Sequence, residues 1–273
     1  LEQQILNISN AEYEKTSHTS SKMQPDTLFN FMEKVDWLIE IIQNKAIPPR
    51  YCVEDITYLK IDEIDKIAYP MKCFCDINLH KLHEHIGWYG ACGIAFSKQW
   101  GMEHGIQPLH YINPHSKLRE DFTESFNSSL KLNYKRQSKL QRILKNYLLH
   151  ELMYYKPYSG AFVNRRTSEK SNKCFTDECE WRYLPDVEKF DYEQIVIYDE
   201  LKKGYIDNLN ASLKSVQEVS LQFKYSDVKH LIVENNDDYI KLINAIIQLP
   251  IEEYEKYLLS SKIIVWDKSK GDF

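Results

Sequence analysis

Glu178-Cys179-Glu180-Trp181-Arg182-Tyr183 alternates charge with apolar or aromatic bulk. A β-strand sends successive side chains to opposite faces. Read as a strand, the stretch places Glu178, Glu180 and Arg182 on one face and Cys179, Trp181 and Tyr183 on the other. Three charges in a row are ordinary on a solvated face. In a cleft the same face does chemistry: one carboxylate orients a hydroxyl while its neighbour steadies a developing cation. The segment alone leaves both readings open.

Working outward, residues 174–184 read as one strand around this motif. Further strands are expected at 26–31, 72–76, 93–97, 108–112, 228–234 and 263–266, with 191–199 as another candidate. A helical rhythm through Val35, Leu38, Ile41 and Ile42 is stopped by Pro48-Pro49. Shorter helices are expected at 79–85, 237–248 and 251–260. Residues 118–155 form the longest helical region, with a break near Asn127-Ser128 and with Leu140, Leu144 and Leu148 turned to the core. Strands and helices interleave without βαβ spacing. That pattern predicts an α+β fold: one domain over 26–273, with a mixed, mainly antiparallel sheet flanked by helices and a helical insertion at about 118–155. Residues 1–25 read as a loose polar arm. Leu1 and Glu2, with no initiator Met before them, read as remnants foreign to the natural chain.

Bulk composition narrows the function. The 273 residues are 43% apolar and 13% aromatic, with 19 tyrosines, which supports a packed core. Only 8 glycines are present, and neither GxGxxG nor GxxxxGK[ST] occurs, so a phosphate-cradling loop is not expected. A net charge of −5 gives no overall pull towards nucleic acid or anionic lipid. No apolar run is long enough to span a bilayer and no leader pattern is visible, so the expectation is a soluble cytoplasmic protein away from membranes. The six cysteines sit among apolar residues and read as small buried hydrophobes. His80, His83 and His85 lack a spaced partner, so no metal centre is expected.

Two early blocks add candidates. Asn30 lies mid-strand among apolar neighbours and needs partners if buried. Arg50, after Pro48-Pro49, is either a surface cation or a phosphate anchor. Gly87, Gly90 and Gly93 fall within seven residues, around Trp88 and Tyr89. Glycine there permits positive φ or close backbone approach, and the two rings could stack on a flat ligand. Lys135, Lys139 and Arg142 share a helix side at i, i+4 and i+7, which reads as a solvated face or as a contact for nucleic acid or an acidic partner.

Several stretches together resemble the bacterial abortive-infection AbiGi family, described as antitoxins in phage resistance: TLFNFM (27–32), PPRYCVEDI (48–56), YPMKCFCDINL (69–79), HIGWYGACGIAFSKQWG (85–101), GIQPLHYI (105–112), CFTDECEWRYLP (174–185) and the ending at Gly271-Asp272-Phe273. That resemblance implies a component of an anti-phage or toxin–antitoxin module with a partner toxin. More remotely, the order of motifs resembles an ADP-ribosyltransferase, with an early polar strand residue, a glycine–aromatic turn and a late E-x-E. This second resemblance implies NAD as cofactor. Glu180 would steady the oxocarbenium-like ribose and Glu178 would activate the acceptor. Trp88 and Tyr89 would hold the nicotinamide, beside Gly90 and Gly93, and Arg50 the pyrophosphate. Asn30 would meet the ribose, where that fold usually carries His or Arg.

Overall fold

Ten residues, Lys66–Cys75, form the strand around which the molecule is arranged. Its odd-numbered side chains Ile67, Tyr69, Met71, Cys73 and Cys75 point to one face, and Ala68 and Phe74 to the other; both sets are covered. Near-continuous apolar character is what a strand buried on both faces requires. The computed structural model describes residues 21, 23–132, 138–164 and 167–269. The arm expected over 1–25 lies mostly outside them, as do Lys135 and the ending at 271–273.

The strands in chain order are β1 (Thr27–Met32), β2 (Ala46–Ile47), β3 (Arg50–Asp55), β4 (Lys66–Cys75), β5 (Cys92–Ser97), β6 (Gln107–Pro108), β7 (His110–Ile112) and β8 (Tyr155–Pro157). They continue as β9 (Ser159–Val163), β10 (Lys170–Cys174), β11 (Glu180–Tyr183), β12 (Val196–Ile197), β13 (Leu221–Gln222), β14 (Val228–Val233) and β15 (Ile263–Val265). The helices are α1 (Val35–Asn44), α2 (Leu82–Tyr89), α3 (Lys98–Glu103), α4 (Lys117–Leu130) and α5 (Lys139–Tyr154). After these come α6 (Lys203–Leu213), α7 (Asn236–Ile247), α8 (Glu253–Ser260) and α9 (Trp266–Ser269).

The main sheet runs β15-β14-β5-β1-β4-β11-β6, with β3 and β12 also on β4. Its pairs are antiparallel except β14 with β15. The expected α+β class, with a mixed and mainly antiparallel sheet flanked by helices, is what is observed. β4 changes neighbours along its length: Lys66–Met71 pair with β3, and Lys72–Cys75 with β11. Pro70, which cannot donate to a ladder, sits close to this handover.

Helices cover both faces. On the face that Ala68 and Phe74 enter, the first face, α1, α3, α7 and α8 pack over one half, with Leu38, Ile42, Leu242 and Leu259 fully buried. α6 covers the other half through Ile206 and Leu213. Its Asn210 accepts from the Tyr51 amide (2.6 Å) and donates to the Tyr51 carbonyl (3.2 Å), so one side-chain amide closes the open edge of β3. Nothing in the sequence reading anticipated α6. The second face carries α4 and α5 over one half and α2 and α9 over the other. Helix starts follow their caps: Asn235 accepts from the amides of Asp237 and Asp238, and Ser116 from that of Arg119.

Three local expectations need correction. The 79–85 helix continues to Tyr89, so Trp88 and Tyr89 end a helix instead of forming a turn. The break expected near Asn127-Ser128 falls slightly later, between Leu130 at the end of α4 and Lys139 at the start of α5. Asn127 is drawn outward, accepting from the Asp62 amide (3.1 Å), while Ser129 donates back to the Phe126 carbonyl within the helix (2.7 Å), and α4 runs to Leu130. The 174–184 strand is interrupted: Cys174 ends β10, Phe175–Glu178 form a 3₁₀ turn, Cys179 is left-handed (φ 41°), and the strand resumes only over Glu180–Tyr183. Among the described residues, no helix is long and apolar enough to cross a membrane.

The glycine cluster has an internal cause. Gly90 ends α2 at φ 103°, and a Cβ there would stand 2.4 Å from the Met32 carbonyl oxygen. A Cβ on Gly93 would meet Phe31 of the neighbouring β1 at 2.9 Å. Gly87 has open space around it. Gly90→Ala is therefore expected to destabilise the fold by about 2 kcal/mol or more. Gly87→Ala, inside α2, should be neutral or stabilising by up to about 1 kcal/mol. Urea unfolding of the two variants checks this; equal midpoints would remove the argument.

Candidate functional site

Register decides which candidates share a face. Phe29 is opposite Cys75, and Cys75 is opposite Glu180; Cys73 is opposite Arg182. Directly paired residues point to the same side of a sheet. Glu180 and Arg182 therefore enter the second face, between the α4–α5 half and the α2–α9 half. Trp181 and Tyr183 pack into the first face with α1 and α7. The face that sequence left open between wet and functional is buried: Glu178 is 3% exposed, Glu180 7% and Arg182 0%.

What makes burial tolerable is a closed chain of charge. Lys156, on β8, places Nζ 2.5 Å from Oε2 of both Glu178 and Glu180. Arg182 Nε donates to Glu180 Oε1 (2.7 Å), and Nη2 to Glu54 Oε2 on β3 (3.0 Å). Nη1 of the same guanidinium donates to the Met153 carbonyl (2.8 Å) and to the Tyr69 hydroxyl. Lys173, on β10, pairs with Glu178 Oε1 at 2.7 Å. Tyr89 donates its hydroxyl to the same oxygen, and Tyr111 Oη accepts from the Glu180 amide. Three carboxylates thus face three cations, and the cluster is neutral as a whole.

The titration behaviour follows. Burial alone would raise the Glu180 pKa; Arg182 and Lys156 outweigh it and hold the group well below the usual carboxylate range. Glu178 is likewise lowered on balance, with Lys156 and Lys173 overcoming burial and the repulsion of Glu180. Burial would depress Lys156, but the two carboxylates push it well above an ordinary lysine. Tyr89 is held protonated by burial and by Glu178. Burial lowers His85, whose ring lies tilted against that of Tyr89, to about 4, so its imidazole is neutral at pH 7.

Lys173 also lies in an aromatic cage. Its Nζ is 4.3 Å from the Trp88 ring centroid, 4.6 Å from Phe162 and 4.8 Å from Tyr89. The β9–β10 hairpin supplies both Phe162 and Lys173, and pins itself to the end of α2 by cation–π contact and an ion pair.

The structure therefore brings Trp88, Tyr89, Glu178 and Glu180 together and leaves four candidates elsewhere. Asn30 points to the opposite face with Leu28 and Met32; its Nδ2 donates to the Cys73 carbonyl (2.8 Å), and its buried Oδ1 has no partner among the described groups. Arg50 is exposed at the first residue of β3. Gly90 and Gly93 are filled in by Met32 and Phe31. Trp88 borders a shallow cleft of about 340 Å³ with His83, Glu84 and Trp266, but neither Glu178 nor Glu180 lines it. The residues assigned to NAD lie on more than one face: Asn30 is behind the sheet from Glu178 and Glu180, and both carboxylates are paired with cations. Among the described residues no His, Cys, Asp and Glu cluster could hold a metal ion.

Sequence reasoning missed Lys156, Lys173, Glu54, Tyr69 and Phe162. A signal existed for Lys156 alone, a lysine set in the apolar run Tyr155-Lys156-Pro157-Tyr158.

Removing one member of a buried ionic chain strands the others. Lys156→Met is expected to cost about 3–5 kcal/mol in urea unfolding at pH 7. The lowered Glu178 and Glu180 pKa values stabilise the fold above the unfolded carboxylate value of about 4.3, and this contribution is lost as pH falls below it. Glu180→Gln should flatten that acid limb; an unchanged slope would place the titration elsewhere.

Residues 45–234 match the family model "Putative abortive phage resistance protein AbiGi, antitoxin". The chain is also 32% identical over 249 residues to the abortive phage resistance protein AbiGi of Lactococcus lactis subsp. cremoris, covering 84% of this chain and 100% of that protein. No solved structure matches. The whole charged cluster falls inside the matched span, and the extent of both matches places this chain in the AbiGi family, a component of the abortive-infection systems by which bacteria resist phage.

Proposed function

We propose that this chain is the antitoxin of an abortive-infection module and acts in the cytoplasm by binding a toxin protein. The observation that carries the reading is the match over 45–234 to a family described as an antitoxin. The buried cluster supports it from the physical side. Glu178 and Glu180 are saturated by Lys156, Lys173 and Arg182, an arrangement suited to fixing β8, β10 and β11 in one geometry. A carboxylate that must steady a transient cation would have to give up its own first.

One contact favours a second reading, NAD-dependent ADP-ribosyl transfer: the early Tyr89 does meet the late Glu178. Against it stand the position of Asn30 and the exposure of Arg50. Nucleic-acid binding has less behind it. Of its three cations, Lys139 and Arg142 are exposed, and Lys135 lies outside the described residues.

Co-expression with the protein encoded beside this chain separates these readings. The antitoxin reading expects growth to be arrested by that protein alone and restored by this chain, with the two co-purifying. Failure of both rescue and complex formation would overturn it. Transfer of label from labelled NAD to protein or nucleic acid, abolished by Glu180→Gln, would instead establish the enzymatic reading.

A further inference from the structure

Helix α5 is built in two unlike halves. Its C-terminal half packs on the core through buried Leu152 and Met153, with Leu148 and Leu149 partly buried against the same cluster. Its N-terminal half buries nothing. Leu140 is 64% exposed, Ile143 54%, Leu144 50% and Tyr147 57%. This overturns the expectation that Leu140 and Leu144 serve the core: the helix extends beyond the body before they are reached. Single exposed apolar residues need no explanation. These four stand at i, i+3, i+4 and i+7, which on a helix is one continuous strip.

The strip has a charged border. At about 100° per residue, Lys139 and Arg142 flank it on the Ile143 side, and both are exposed. Among the described residues neither forms an ion pair. The first acidic residue of the helix is Glu151, four residues past the strip and bonded to His110 (3.1 Å). A chain of net charge −5 thus presents a locally positive, apolar projection.

The projection is also preformed. Ser138 Oγ accepts from the Gln141 amide (3.2 Å), and Gln141 Oε1 accepts from the Ser138 amide (2.8 Å), a reciprocal cap at the first turn. A helix end without packing frays unless it is capped. Holding this one rigid lowers the ordering cost of any complex it enters.

We infer that the N-terminal half of α5 is the surface by which this chain docks on its protein partner, inserting Leu140, Ile143, Leu144 and Tyr147 into an apolar groove whose rim carries carboxylates facing Lys139 and Arg142. The inference rests on the antitoxin reading for the existence of that partner. Nucleic acid is the poorer occupant, because phosphates would engage two cations and leave the apolar strip wet. A second copy is poorer too, because it would set a basic border against a basic border unless the helices ran antiparallel onto Glu151, which is already engaged.

Two variants test this with the purified protein encoded beside this chain: Leu140→Ser with Ile143→Ser and Leu144→Ser, and Lys139→Glu with Arg142→Glu. All five positions are exposed, so circular dichroism should match wild type. The serine variant is expected to weaken binding at least about a hundredfold. The charge reversal should weaken it about tenfold, with the loss shrinking at high salt. Wild-type binding in which both variants bind unchanged overturns the surface and leaves the antitoxin reading intact. Absence of any wild-type complex overturns that reading and this surface together. Two further results overturn it: a wild-type dimer in sedimentation that the serine variant dissolves, or duplex RNA or DNA binding lost only in the charge reversal.

Discussion

One lysine holds three separate pieces of chain in register. Lys156, at 2.5 Å from both Glu178 and Glu180, ties the strand after the helical insertion to the 3₁₀ turn and to the strand that follows it. Two carboxylates so close together in a buried space would repel strongly, and one would take up a proton. With the ammonium between them, and with Arg182 and Lys173 on their outer sides, both stay charged. The cost of removing six charged groups from water is large. Apolar residues of similar volume could fill such a space at equal or better stability. What the ionic chain does is link β8, β10 and β11 through directional contacts that apolar side chains would not supply.

The same constraint bears on function. Glu178 and Glu180 are buried in this conformation, and each is held by two cations. A binding role asks less of the interior. It needs a firm scaffold and a surface element that projects from it, and the α4–α5 insertion projects from the face that the cluster organises. The buried cluster and the proposed docking surface are compatible: a fixed centre carries a helix whose N-terminal half is left exposed.

Much of the fold could be read from periodicity. β1, α1, β5, β14 and the C-terminal helices each carry an unambiguous period and were placed within a few residues. The late acidic motif was harder. Its alternation is correct for Glu180 to Tyr183, but Cys179 takes a left-handed conformation that alternation cannot signal, and so Glu178 arrives in the cluster from a turn. The convergence of Tyr89 with Glu178 was legible as a pairing of motifs. The separation of Asn30 from them was not, because it depends on the register of β1 against β4, where one residue decides the face. Lys173 and Glu54 lie in polar surroundings with no local mark of burial; only tertiary pairing draws them in.

β1 has a consequence for where this protein can be cut. It stands between β5 and β4, and the order β5-β1-β4 is the one place where the two wings of the sheet meet. Yet Thr27–Met32 lies ahead of residues 45–234, the stretch that matches the family model. A fragment trimmed to that span would fall into two half-sheets, each with a raw hydrogen-bonding margin where β1 had been. The span matched by the family model and the span the sheet needs are therefore different stretches of this chain.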